Sequence, residues 1–166
     1  MYDREPMWLK SIYLAEMAVL LGSPMNHTLE KFGYPENLVE EASHWVVLLR
    51  PAQVTLGALV LISKEPVRTF PDLSKDALVE LQAVTGRLER SLRNAFAYDK
   101  INYLMLMMVD PDVHFHVIPR YAGTRHFGTA AWQDSSWPGP PDLTQSLDMS
   151  AVTRNNLREH LVSVWG

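Results

Sequence analysis

Two apolar runs place the first limit on the fold. Trp45 to Leu49 and Gly57 to Ile62 contain no charged side chain, and only a loop through Pro51 and Thr55 lies between them. Continuous apolar runs of this kind belong in the interior of a sheet, because a strand with one wet face alternates instead. The second strand is expected to open at His44, and the third is Gly57 to Ile62. Before them, Gly33, Pro35, Glu36 and Asn37 form a turn cluster ahead of a short first strand around Leu38 and Val39. Ser74 then has the chemistry of a helix cap, with Asp76 in the first turn, where the helix dipole favours negative charge. Leu78, Leu81, Leu88, Leu92 and Phe96 mark the expected buried stripe of one long helix. Two further strands follow, Asn102 to Val109 and Val113 to Ile118. Met105, Met107 and Met108 in the first of these read as core. Three strands, one long helix and two strands predict an α+β fold with a largely antiparallel sheet.

The flanks are less regular. Residues 1–24 carry Met7, Trp8, Ile12, Ala15 and Val19 near helical spacing, then Gly22, Ser23 and Pro24, which predicts an N-terminal helical extension. The body is expected to span 25–122. Residues 123–166 form a segment rich in Pro and Trp, expected to be a long irregular stretch, and a last helix capped by Ser150; both pack on the same domain. Trp132 and Trp137 in this segment need something to cover. Leu157, Leu161 and Val164 mark the inner face of the last helix.

Composition removes several function classes. Cysteine is absent from the 166 residues, which excludes disulfides, thiol nucleophiles and cysteine-ligated metal. The formal charge of −4 argues against a broad nucleic-acid surface, so no nucleic acid is expected as a partner. The most apolar stretch, Met7 to Leu21, is interrupted by Lys10 and Glu16 and falls short of the ~20 residues of a spanning helix. No membrane partner is expected, and the cytoplasm is the expected compartment.

Chemistry concentrates in Asp112-Val113-His114-Phe115-His116-Val117-Ile118-Pro119-Arg120. Strand side chains alternate with period two, so Asp112, His114 and His116 share one face. Val113, Phe115 and Val117 share the other, which is expected to be the buried one. The imidazole face is expected to be within reach of a solute. No acidic residue follows until past Gly128, while Arg120 and Arg125 add positive charge. Three readings are open: a solvated polar face, a metal site at Asp112, His114 and His116, or an imidazole nucleophile that attacks phosphorus with a second imidazole assisting departure. No glycine-rich phosphate loop or nucleophile elbow occurs elsewhere. His126 and the pair Ser135 and Ser136 are weaker candidates.

The run His114-Phe115-His116-Val117-Ile118-Pro119-Arg120 resembles the end of the histidine triad motif. The strands before it, the Pro66 to Leu73 segment and the single long helix follow that family's order, over roughly residues 32–122. The resemblance implies a five-stranded antiparallel sheet, a homodimer, and nucleotide hydrolysis or nucleotidyl transfer at an α-phosphate. Implied substrates are dinucleoside polyphosphates, nucleoside phosphoramidates and adenylylated species, with no cofactor and no metal. By position, His114 matches the nucleophile and forms a nucleotidyl-histidine. His116 matches the histidine that contacts the phosphate and leaving group. Arg120, Asp112 and Arg50 are the candidate substrate-binding residues.

Departures from the motif are specific. Asp112 stands at the first histidine's position. Arg50 stands where the family grips ribose with an acid or amide, and a guanidinium cannot accept hydrogen bonds. The glycine-rich loop before the motif is missing. These changes keep open a second reading, a catalytically impaired nucleotide-binding module.

Overall fold

The computed structural model describes residues 26–147 and 149–166. The helix expected within residues 1–24 lies outside them. A short helix α1 (His27–Lys31) leads into β1 (Leu38–Glu41), β2 (Trp45–Leu49) and β3 (Leu59–Ser63). A 3-10 turn (Phe70–Asp72) precedes the long helix α2 (Lys75–Phe96). Then come β4 (Lys100–Leu104), β5 (His114–Arg120), a small hairpin of β6 (Arg125–Phe127) and β7 (Ala130–Trp132), and α3 (Ala151–Ser163). The protein is α+β. Its main sheet has five strands in the order β1-β2-β3-β5-β4, every neighbouring pair antiparallel.

The apolar runs are continuous because both sheet faces are covered. Trp45, Val47, Leu49, Leu59 and Leu61 pack on one face with Val84, Leu88, Leu92 and Phe96 of α2. Val46, Leu48, Val60 and Ile62 form a second, smaller cluster on the other face, closed by Phe32. The Ser74 hydroxyl caps α2 by accepting from the Ala77 N–H at 3.1 Å. The helix ends at Ala97, in left-handed conformation with φ 47°. Gly57, with φ +82°, permits a close approach there: a Cβ at this position would lie 2.7 Å from the Phe96 ring.

Three expectations are corrected. Leu78 is 39% exposed, and Ala77 takes its place in the core. The small Ala77 lies where α2 comes close enough for Trp45 Nε1 to bond its carbonyl oxygen at 2.8 Å. The fourth strand stops at Leu104 instead of running to Val109. Met108 is 94% exposed and Val109 81%, so Met108 is not core; only Met107 packs against the core. Apolar character alone does not distinguish a core strand from an exposed apolar loop. The stretch after Tyr121 contains the β6–β7 hairpin, turned through Gly128 at φ +59°. Trp132, Leu157 and Leu161 are buried in the same core as α2.

Candidate active site

Strand β5 carries His114, His116, Ile118 and Arg120 on the face away from α2. Register places Ile62 beside His114 and Val60 beside His116 from β3, and Leu104 beside His116 from β4. The opposite face presents Phe115, whose ring meets Trp45 and Phe70 at 6.2 and 6.0 Å. The period-two division of this strand is therefore as the sequence indicates. Its solvation is not: the imidazole face is also covered.

His114 is fully buried and His116 is 7% exposed. Their rings meet edge-on with centroids 5.1 Å apart. Phe32 lies against both, at 6.2 Å from His114 and 5.6 Å from His116. Phe32 follows directly on α1, which is tied down at three points. Asn26 Nδ2 donates to the Ser63 carbonyl at 3.0 Å. Thr28 Oγ1 donates to Asp112 Oδ2 at 2.9 Å. Lys31 Nζ pairs with Asp110 at 2.7 Å. Sequence reasoning missed Phe32 and Thr28 as site residues, since neither carries a catalytic signature.

The His114 Nδ1 lies 2.7 Å from the Asp112 carbonyl oxygen. A carbonyl only accepts, so Nδ1 carries a proton, and in the neutral ring Nε2 keeps its lone pair. That Nε2 is buried with no hydrogen-bond partner, and so is His116 Nδ1. A buried unpaired nitrogen costs roughly 1–3 kcal/mol of desolvation, and two adjacent ones call for a functional explanation. Burial, first, and then the neighbouring His114 ring and the Arg50 guanidinium push His116 down to about 4, with Asp110 opposing them. His116 is therefore neutral at neutral pH.

The remaining candidates are placed as follows. Asp112 gives its main-chain carbonyl to His114 and its carboxylate to Thr28. Arg50 follows β2, donates to the Ala52 carbonyl and leaves Nε buried without a partner. Burial lowers its pKa. Arg120 is 3% exposed, and its donors are committed within the protein. It bonds both oxygens of Asp134 at 2.6 and 3.1 Å, Asn102 Oδ1 at 2.9 Å, Ser136 Oγ at 3.2 Å and the Gly139 carbonyl at 2.9 Å. This buried network fastens the C-terminal segment to the end of β5. His126 is exposed, and His44 pairs with Glu65 at 3.3 Å. Among the described residues, no three His, Asp or Glu side chains gather as a metal site. A groove of about 400 Å³ opens on the α2 side, between Leu78, Leu81, Tyr103 and Phe115, and not at the histidines.

The site is a buried imidazole pair on an interior strand, with one ring nitrogen of His114 held by a main-chain carbonyl and the other left without a partner. The family model described as HIT domain matches residues 32–123, and the chain belongs to the histidine triad family. Proteins of this family bind nucleotides and hydrolyse or transfer them. The fold is similar to a histidine triad protein from Bradyrhizobium japonicum, with TM-score 0.67 and 21% identity over 86% of this chain and 98% of that one. It is similar to one from Marinobacter aquaeolei, with TM-score 0.68 and 20% identity over 86% and 95%. A zinc-bound family member from Mycobacterium smegmatis follows, with TM-score 0.57 and 18% identity over 86% and 93%. No curated protein matches the chain. No helix among the described residues is long and apolar enough to cross a membrane.

Proposed function

We propose that this protein is a nucleotide hydrolase or nucleotidyl transferase that acts at an α-phosphate through a covalent nucleotidyl-His114. The observation that carries this reading is the orientation of His114, with Nδ1 held by the Asp112 carbonyl and Nε2 unpaired. Neutral Nε2 attacks phosphorus, the bond to the leaving group breaks, and water then attacks phosphorus to release the nucleotide. His116, beside His114 on the same face, contacts the leaving group. Substrates belong to the dinucleoside polyphosphate or nucleoside phosphoramidate class. Phe32 must move aside for any of them to reach Nε2, so α1 acts as a cover that opens on binding.

The test is a screen of both substrate classes beside His114→Ala. Loss of at least ~10³-fold in turnover is expected when a covalent nucleophile is removed. Equal turnover by His114→Ala would sink the proposal. A second reading, a binding module without turnover, is supported by the complete burial of His114 and by an arginine at position 50, where the resemblance implies an acid or amide. AMP or GMP binding in calorimetry with no turnover on any screened substrate favours it.

The homodimer implied by family membership is proposed to form along β4, which is an open edge of the sheet beside the groove of Leu78, Tyr103 and Phe115. A single monomeric species in sedimentation at micromolar concentration would refute this. The cytoplasm is the proposed compartment, supported by the absence of a membrane-spanning helix among the described residues.

A further inference from the structure

The main chain of Arg50 is fixed from both sides. Its N–H extends the β2–β3 ladder to the Ala58 carbonyl at 3.0 Å, and its own carbonyl accepts from Gln53 Nε2 at 2.7 Å. Gln53 is fully buried, and its amide also bonds the main chain of Gly57 and Ala58. Period two from Leu48 puts the Arg50 side chain on the sheet face that carries Val60 and His116. Its charge is felt at the His116 ring, as that placement requires.

This guanidinium has no counter-ion among the described residues. It donates to the Ala52 carbonyl, and its Nε is buried without a partner. Burial lowers its pKa, and no carboxylate raises it. A half-buried cation in this state is costly until an anion meets it. The neighbouring cations are already occupied, Lys31 by Asp110 and Arg120 by Asp134. The acids Asp110 and Asp112 lie before His114, at the opposite end of the face, where they do not oppose an anion at Arg50.

Arg50 does not stand at the reacting phosphorus. Val46 shares a register row with Ile62 and His114, and Arg50 is further along β2. Its main chain is therefore about 13 Å along the strands and about 10 Å across them from that of His114. The bond to Ala52 turns the guanidinium toward its own loop, not toward the imidazoles. A leaving group departs in line with the attacking nitrogen, on the far side of phosphorus. Arg50 lies instead on the face from which His114 rises, beyond His116. The anion it meets therefore belongs to the nucleoside side of the substrate.

We infer that Arg50 binds a second phosphate of the substrate, carried on the ribose at its 2′ or 3′ oxygen and separate from the phosphate that reacts at His114. The inference rests on the proposed nucleotidyl transfer and narrows its substrates to nucleotides phosphorylated on the sugar. The guanidinium fork suits a phosphate, and the fixed main chain holds it ready.

The experiment is calorimetric titration of the full chain with the 2′,5′- and 3′,5′-bisphosphates of adenosine and guanosine. ADP and GDP are the controls, since they carry two phosphates on the 5′ side alone. We expect one bisphosphate to bind about tenfold or more tighter than its matching diphosphate, the scale of one charge-assisted hydrogen bond. Arg50→Gln is expected to bring that ratio close to one. Should Arg50→Gln not fold, Arg50→Lys decides, and the loss of the planar fork is expected to weaken the preference. No bisphosphate preference in the parent, or an unchanged preference in the folded variant, would overturn the assignment. Failure of the catalytic reading shows separately, as a bisphosphate preference that persists while His114→Ala loses no turnover.

Discussion

His114 Nδ1 is held 2.7 Å from the main-chain oxygen of Asp112, while the Asp112 carboxylate is held 2.9 Å from the Thr28 hydroxyl. One residue thus orients the His114 ring with its backbone and fastens the covering helix with its side chain. The first role survives any side chain at position 112, and the second does not.

Removing the Asp112 carboxylate should therefore loosen α1 without misorienting His114. Asp112→Ala leaves the buried Thr28 hydroxyl unpaired, at a cost of about 1–3 kcal/mol. A double-mutant cycle with Thr28→Val should show coupling of about 1 kcal/mol in urea unfolding. Zero coupling, or a His114 tautomer in nitrogen-15 NMR that changes with Asp112→Ala, would contradict this division of roles.

Stability should fall on mild acidification because of His116. Its folded value of about 4 lies below the ordinary histidine value of 6.5, so between these the unfolded chain binds more protons. The contribution is complete above pH ~6.5 and is lost as pH drops toward 4. His116→Gln should flatten the dependence of Tm on pH across that window. A variant that loses Tm as steeply as the parent would show that other groups carry the effect.

Arg50 is one of the charges that hold His116 deprotonated. Arg50→Gln should raise the His116 pKa, since it removes a cation that opposes imidazolium. Proton NMR titration of the His116 ring reads this directly. A His116 pKa that stays put or falls would remove Arg50 from the electrostatics of the site.

The Arg120–Asp134 pair is structural, with side chains only 4% and 3% exposed. Arg120→Met strands a buried carboxylate and should destabilise the fold by about 3–5 kcal/mol. Arg120→Met/Asp134→Leu should recover a substantial part of that loss, because it removes the uncompensated charge. A single variant as stable as the parent in denaturant unfolding would argue that Asp134 reaches water.

The strands, the Ser74 cap and the alternation of β5 were legible in the sequence because each follows from neighbours a few residues apart. Backbone period, cap chemistry and apolar runs are local properties. The solvation of those elements is not local. Phe32 covers His114 and His116 from more than eighty positions away along the chain, and Thr28 meets Asp112 across a separation of 84 residues. The same holds for Arg120: its position on the histidine face of β5 follows from counting, but its saturation by Asp134 and Gly139 depends on how the C-terminal segment returns. Leu78 and Met108 are the converse case. Both are apolar, and only the packing angle of α2 and the early end of β4 left them outside the core. The sequence by itself determined which groups can react and which face of their strand they share. Tertiary structure decided which of them are dry, paired or reachable, because burial and charge depend on what the rest of the chain brings alongside.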